Sequence, residues 1–133
     1  MFYYLQYCVV YSIFILGGGK MEKNKEEQLL EGLIQELRRG TIVLAVLSQL
    51  KSPQYGYSLI VLMKEKGLDL EANTLYPLLR RLEKQGILES LWDTDGTKPR
   101  KYYKLSVLGE TVYLKLCETW KDINNVVNNL IEN

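Results

Sequence analysis

The chain has 133 residues, enough for one small domain. Its 17 basic and 16 acidic residues nearly cancel, which excludes a polybasic coat or an acidic tail but not a local basic patch. It contains no histidine, so the usual general base and the commonest zinc ligand are missing. Cys8 and Cys117 are too few for a disulfide framework or a zinc site. No cofactor is expected.

Composition is uneven along the chain. Residues 1–20 carry one charge, Lys20, and six aromatics. The apolar stretch from Phe2 to Leu16 is shorter than the roughly 20 residues a spanning helix needs. No basic residue precedes it and no small-residue cleavage pattern follows it, as a secretory signal would require. Gly17-Gly18-Gly19-Lys20 is encoded GGN-GGN-GGN-AAR, a purine-rich tract directly before the Met21 codon. That is how a bacterial ribosome-binding site reads when translated. The polar segment from Met21 then resembles an ordinary N-terminus. The expectation is a leader over 1–20, with a native start at Met21 leaving 113 residues. The alternative is a hydrophobic N-terminal extension.

From Glu22 to Glu36 the leucines follow the i, i+4 spacing of an amphipathic helix. The unbroken apolar run Ile42–Leu47, extended by Arg38-Arg39 and by Ser48–Lys51, predicts a 14-residue helix ended by Ser52-Pro53. A further helix is expected over 55–66, with Tyr55, Leu59, Leu62 and Met63 on one face and Gly67 as its stop. The next, 73–85, is capped by Asn73 or a neighbour. It turns Leu75, Leu78, Leu79 and Leu82 inward and stops at Gly86. Pro77 argues against a start much before Asn73.

Then the period changes. Ile87–Trp92 and Arg100–Leu105 read as strands joined by a long tip containing Asp95-Gly96. Ser106 is placed to cap a final helix running to about Ile131. A two-stranded hairpin is marginal alone and must pack on the helices. The expected fold is mainly α with a small β-hairpin: a winged helix-turn-helix domain over 21–105, followed by a long C-terminal dimerisation helix over 106–133.

With its leucines inward, the 73–85 helix leaves Thr74, Tyr76, Pro77, Arg80, Arg81 and Lys84 outside or on the rim. Arginine suits guanine edges, and both basic types pair with phosphates. A solvated face paired with Glu83 is the plainer reading of the same cluster. The hairpin adds Lys98, Arg100, Lys101 and Lys104, interleaved with Tyr102 and Tyr103. Asn73–Leu105 carries a net +3 and Glu22–Glu36 a net −3. The overall neutrality therefore conceals a basic helix-and-wing surface suited to double-stranded DNA.

In the last helix Tyr113, Trp120 and Val127 are spaced by seven, as are Leu116, Ile123 and Leu130. This a/d seam suggests pairing with a second copy; the alternative is packing on the Leu29–Leu37 helix, and both can hold at once. A twofold dimer would read a palindromic operator. Trp120 sits mid-seam, where it either anchors packing or walls a pocket for a flat aromatic ligand.

These segments resemble the PadR-like transcriptional regulators. The resemblance rests on Arg39-Gly40-Thr41, on Tyr55-Gly56-Tyr57-Ser58-Leu59, on Thr74 to Gly86, and on Lys98 to Ser106 with Leu108-Gly109, covering roughly 37–110. It implies a cytoplasmic homodimeric repressor. The short form with one C-terminal helix, and Glu118-Thr119-Trp120 within it, looks like the multidrug-sensing branch. There a tryptophan from each subunit faces its mate across a pocket for flat aromatic compounds, which the resemblance carries to Trp120. Competing expectations are a winged-helix protein-interaction module and an enzyme. The lack of histidine, of a glycine-rich phosphate loop and of a carboxylate cluster speaks against the enzyme.

Overall fold

A computed structural model describes residues 23–132. The expected leader and the start at Met21 lie outside the described residues. The chain divides into two compact units at Arg39 and Gly40.

In the first unit, helix α1 runs Lys25–Arg39. It opens on a capping box. The Glu27 amide donates to Asn24 Oδ1 at 2.8 Å, and the Asn24 amide donates to Glu27 Oε2 at 3.2 Å. Arg38 and Arg39 occupy its last turn, where cations complement the helix dipole. Its leucines Leu29, Leu30, Leu33 and Leu37 are exposed.

The second unit holds every other element. Helix α2 is Ile42–Ser48, not the expected 14 residues. Arg38 and Arg39 end the previous helix instead of starting this one, because Gly40 and Thr41 turn the chain between them. Then come β1 (Gln54–Tyr55), α3 (Gly56–Glu65), α4 (Ala72–Lys84), β2 (Leu88–Asp93), β3 (Arg100–Leu105) and α5 (Val107–Glu132). The strand β1 was not expected. Tyr55 belongs to it rather than to the α3 face, and it pairs antiparallel with Tyr102. The hairpin thereby becomes a three-stranded sheet of order β1-β3-β2.

Both glycine stops hold, at φ +95° for Gly67 and +78° for Gly86. At each, the next amide reaches back five residues, Leu68 to the Met63 carbonyl at 2.9 Å and Ile87 to the Leu82 carbonyl at 3.0 Å. This is the Schellman pattern, and it frees the chain to leave the helix sharply. Helix α4 starts at Ala72 after Glu71, which makes no side-chain cap bond. Pro77 lies in its second turn. The carbonyl that Pro77 leaves without an amide belongs to the exposed Asn73, where water can satisfy it.

The core is built from α2, α3, α4 and the sheet. Leu47 and Leu50, Leu59 and Met63, the four α4 leucines, and Leu88, Tyr103 and Leu105 are all buried, and no polar side chain is buried with them. Burial of such side chains contributes about 1.5–3 kcal/mol each and fixes how α4 rests on α3. The N–H of Leu105 donates to the Leu50 carbonyl at 2.8 Å, tying the root of the wing to the end of α2.

Ser106 caps α5 as expected, accepting from the Gly109 amide at 2.9 Å. Its hydroxyl also donates to the Gly86 carbonyl at 2.6 Å. An added Cβ at Gly109 would run into the Ile87 carbonyl. That contact explains the glycine and brings the end of α4, the start of β2 and the start of α5 to one joint. Among the described residues no helix is long and apolar enough to cross a membrane, and no side-chain cluster could hold a metal ion.

Candidate nucleic-acid interface

Burial of Leu75, Leu78, Leu79 and Leu82 decides what α4 presents outward. Thr74, Tyr76, Pro77, Arg80, Arg81 and Lys84 are all exposed, so the structure leaves the whole expected set of helix residues available. Tyr76, Arg80 and Lys84 form one i, i+4 row. Among the described residues none of Arg80, Arg81 and Lys84 makes an ion pair. The pairing with Glu83 that the plainer reading expected is not formed by these three.

Glu83 is instead committed elsewhere. It accepts from Lys101 Nζ at 2.8 Å and from Ser90 Oγ at 2.6 Å. The Lys101 and Glu83 side chains are 28 % and 31 % exposed, so the pair is half-sheltered between α4 and the wing. The Lys101 hydrogen bond, then that from Ser90, holds the Glu83 carboxyl below the usual carboxylate range. Glu83 in turn raises Lys101. Lys101 was expected on phosphates; its ammonium is engaged within the chain and also lies 5.1 Å from the Tyr103 ring centroid.

Strand alternation explains the division of labour in β3. Lys101, Tyr103 and Leu105 share the inner face, and Tyr103 is 5 % exposed. Arg100, Tyr102 and Lys104 share the outer face. Arg100 lies over the Tyr55 ring at 4.8 Å, and the Tyr55 and Tyr102 rings meet edge to face at 5.5 Å. Lys98 is exposed on the tip.

Tyr76 does more than face solvent. A Cβ at Gly56 would fall within 2.7 Å of its ring, so the first residue of α3 must be glycine for the tyrosine to rest there. Sequence reasoning assigned Tyr76 to recognition and missed this contact. It also missed Trp92, whose register opposite Lys101 puts it on the inner face of the wing.

The expected seam on α5 divides into two parts. Tyr113 and Leu116, partly buried, pack against the core of their own chain. Trp120, Ile123, Val127 and Leu130 remain exposed, at 40 %, 51 %, 44 % and 74 %.

Two helices joined by a short turn, the second with an outward basic row, and a hairpin beside it define a winged helix-turn-helix protein. The profile of the transcriptional regulator PadR-like family matches residues 43–115. A crystal structure of a PadR family transcriptional regulator from Eggerthella lenta is 45 % identical, covers 81 % of this chain and 96 % of its own, and superposes with a TM-score of 0.78. A PadR-like transcription factor from Bacteroides fragilis is 36 % identical, covers 74 % of this chain and 98 % of its own, and gives 0.62. An uncharacterized protein of Lysinibacillus sphaericus, protein X, is 28 % identical over 62 % of this chain and 80 % of its own. The chain belongs to the PadR-like family of transcriptional regulators and is not an enzyme.

Proposed function

We propose that this chain is a homodimeric, cytoplasmic repressor that reads a palindromic operator and is released by a small molecule. The observation that carries the reading is the outward row of α4, basic and free of ion pairs among the described residues. In it Arg80, Arg81 and Lys84 meet base edges and phosphates, with Thr74, Tyr76 and Pro77 at the entering end. Lys98 and Arg100 supply the wing's phosphate contacts. Lys101 supports the interface from within, through Glu83.

The exposed apolar stripe Trp120, Ile123, Val127 and Leu130 supports pairing of two copies through α5. The resemblance to the multidrug-sensing branch, and the half-exposed ring of Trp120, support a flat aromatic effector stacked between the two tryptophans. The operator is sought in the region upstream of the gene. Titration of that duplex across a salt series should give a shift at micromolar protein or below. Arg81→Ala should weaken it and flatten the salt slope by about 0.9 for one phosphate contact. No shift with the wild-type chain at moderate salt would overturn the reading in favour of a protein-interaction module.

A further inference from the structure

The wing and α4 do not meet flush. Between them lies an open cleft of about 350 Å³. It is lined by Tyr76 of α4, by Trp92 and Pro99 of the wing, and by Gly56 and Tyr103, with Arg100 and Lys101 as its charged residues. Trp92 is 63 % exposed although its neighbour on the same strand face, Ser90, is tied to Glu83. A large ring left open to water, on a strand whose other inner residues pack, is unexplained by the core.

The cleft has a chemistry. Its lining is mostly aromatic, and of its two cations Lys101 is paired with Glu83 whereas Arg100, among the described residues, makes no ion pair. The Arg100 guanidinium rests on the Tyr55 ring at 4.8 Å, which holds it without neutralising it. Tyr76 belongs to the same i, i+4 row as Arg80 and Lys84, so the cleft is continuous with the basic face of α4. A ligand that lies along both surfaces must be a polyanion with apolar rings between its charges. Deoxyribose separated by phosphates fits that description.

We propose that this cleft takes the sugar–phosphate backbone of one DNA strand, with Trp92 and Tyr76 packing against successive deoxyriboses and Arg100 pairing with the phosphate between them. The proposal rests on the DNA-binding reading above and adds Trp92 to the residues that touch the duplex. Contact with sugar rather than base edges makes the contribution independent of sequence. It carries no charge, so it leaves the salt dependence unaltered.

The test uses the full chain with two duplexes, the upstream region and a scrambled duplex of equal length. Trp92→Ala should bind both about ten-fold more weakly, the order expected when the burial of one half-exposed ring is lost. Its salt slope should equal that of the wild type, whereas Arg100→Ala should flatten the slope by about 0.9. Emission of the wild type, less that of Trp92→Phe, should be quenched on titration with duplex. Because Trp92 is largely exposed, thermal melting of Trp92→Ala should match the wild type. Normal wild-type binding with unchanged affinity and emission at Trp92 would overturn the cleft proposal alone. Quenching by a planar aromatic anion, at concentrations where duplex leaves Trp92 emission unchanged, would replace it with a small-molecule site. Failure of the wild type to bind either duplex would overturn both this proposal and the DNA-binding reading.

Discussion

Lys101 offers the sharpest test of how the wing works. Its Nζ lies 2.8 Å from Glu83 Oε2, and Ser90 donates to the other carboxylate oxygen. Hydrogen bonds to charged groups contribute roughly 1.5–3 kcal/mol when sheltered, but exposed ion pairs contribute only about 0.2–1. With both side chains close to one-third exposed, the pair belongs near the top of the exposed range, at about 1 kcal/mol. That value also bounds its effect on DNA. If the pair only holds the wing against α4, its loss adds at most the free energy of restoring that arrangement to the cost of binding. About 1 kcal/mol corresponds to roughly five-fold in affinity.

A double-mutant cycle separates this role from a phosphate contact. Lys101→Met keeps an unbranched side chain of similar length but removes the ammonium, and Glu83→Gln keeps the shape of the acceptor. Denaturant unfolding should show the two substitutions coupled by about 1 kcal/mol. Operator affinity should fall no more than about five-fold in either single variant, with the salt slope unchanged. A slope flattened by about 0.9 in Lys101→Met, with no coupling to Glu83, would refute the positioning role. The pH dependence has a definite sign. Glu83 is held below its ordinary range by the Lys101 and Ser90 hydrogen bonds, so its contribution is complete above that range. It is lost as pH falls through the lowered value. Lys101 is raised by Glu83, so its contribution is complete below the ordinary lysine range and is lost as pH rises through the raised value. The stability gap between wild type and Glu83→Gln should therefore be flat around neutrality and close in acid.

Gly109→Ala should destabilise the fold by about 1–3 kcal/mol in denaturant unfolding, since the new methyl meets the Ile87 carbonyl and backbone cannot swing aside as a side chain can. Wild-type stability in that variant would show the α5 joint to be loose. Gly56→Ala should cost less, about 1 kcal/mol or below, because the clash is with the ring end of the exposed Tyr76, which can swing aside, and Tyr76→Ala in the same chain should remove most of that cost. Strictly additive losses would place the strain elsewhere. Leu79→Ala, at a site with no exposure, should cost about 2–5 kcal/mol by the same measurement.

What the sequence disclosed and what it withheld divide along a physical line. The α4 leucines, the stops at Gly67 and Gly86 and the cap at Ser106 are local. Each follows from spacing within one helix turn or from a backbone angle only glycine adopts easily, so each was legible without the fold. The outward row from Thr74 to Lys84 was legible for the same reason, as the complement of a buried stripe. The misplaced start of α2 was a local error too: Gly40-Thr41 is a weak break, and basic residues suit the end of one helix as well as the approach to another.

Contacts between distant elements were not legible. Glu83 is a plausible partner for Arg80, Arg81 or Lys84 on its own helix, and only the hairpin register delivers Lys101 to it, 18 residues away. Tyr55 fits an apolar helix face until β3 arrives to pair with it. Gly56 looks like any glycine at a helix start until the Tyr76 ring is laid on it. In each case one residue type serves two environments equally well, and tertiary packing chooses. The same ambiguity governs the C-terminal seam. A heptad repeat records which face of α5 is apolar but not what covers it, and that face changes its role along its length. Tyr113 and Leu116 serve the core of their own chain, while Trp120 onward stays open to solvent in the single chain. The division follows from reach: the core ends where α2 and β3 end, and a helix of 26 residues outruns them. Apolar surface beyond that point lies out of reach of its own unit's core, and it is the part of the helix to which the proposed pairing is assigned.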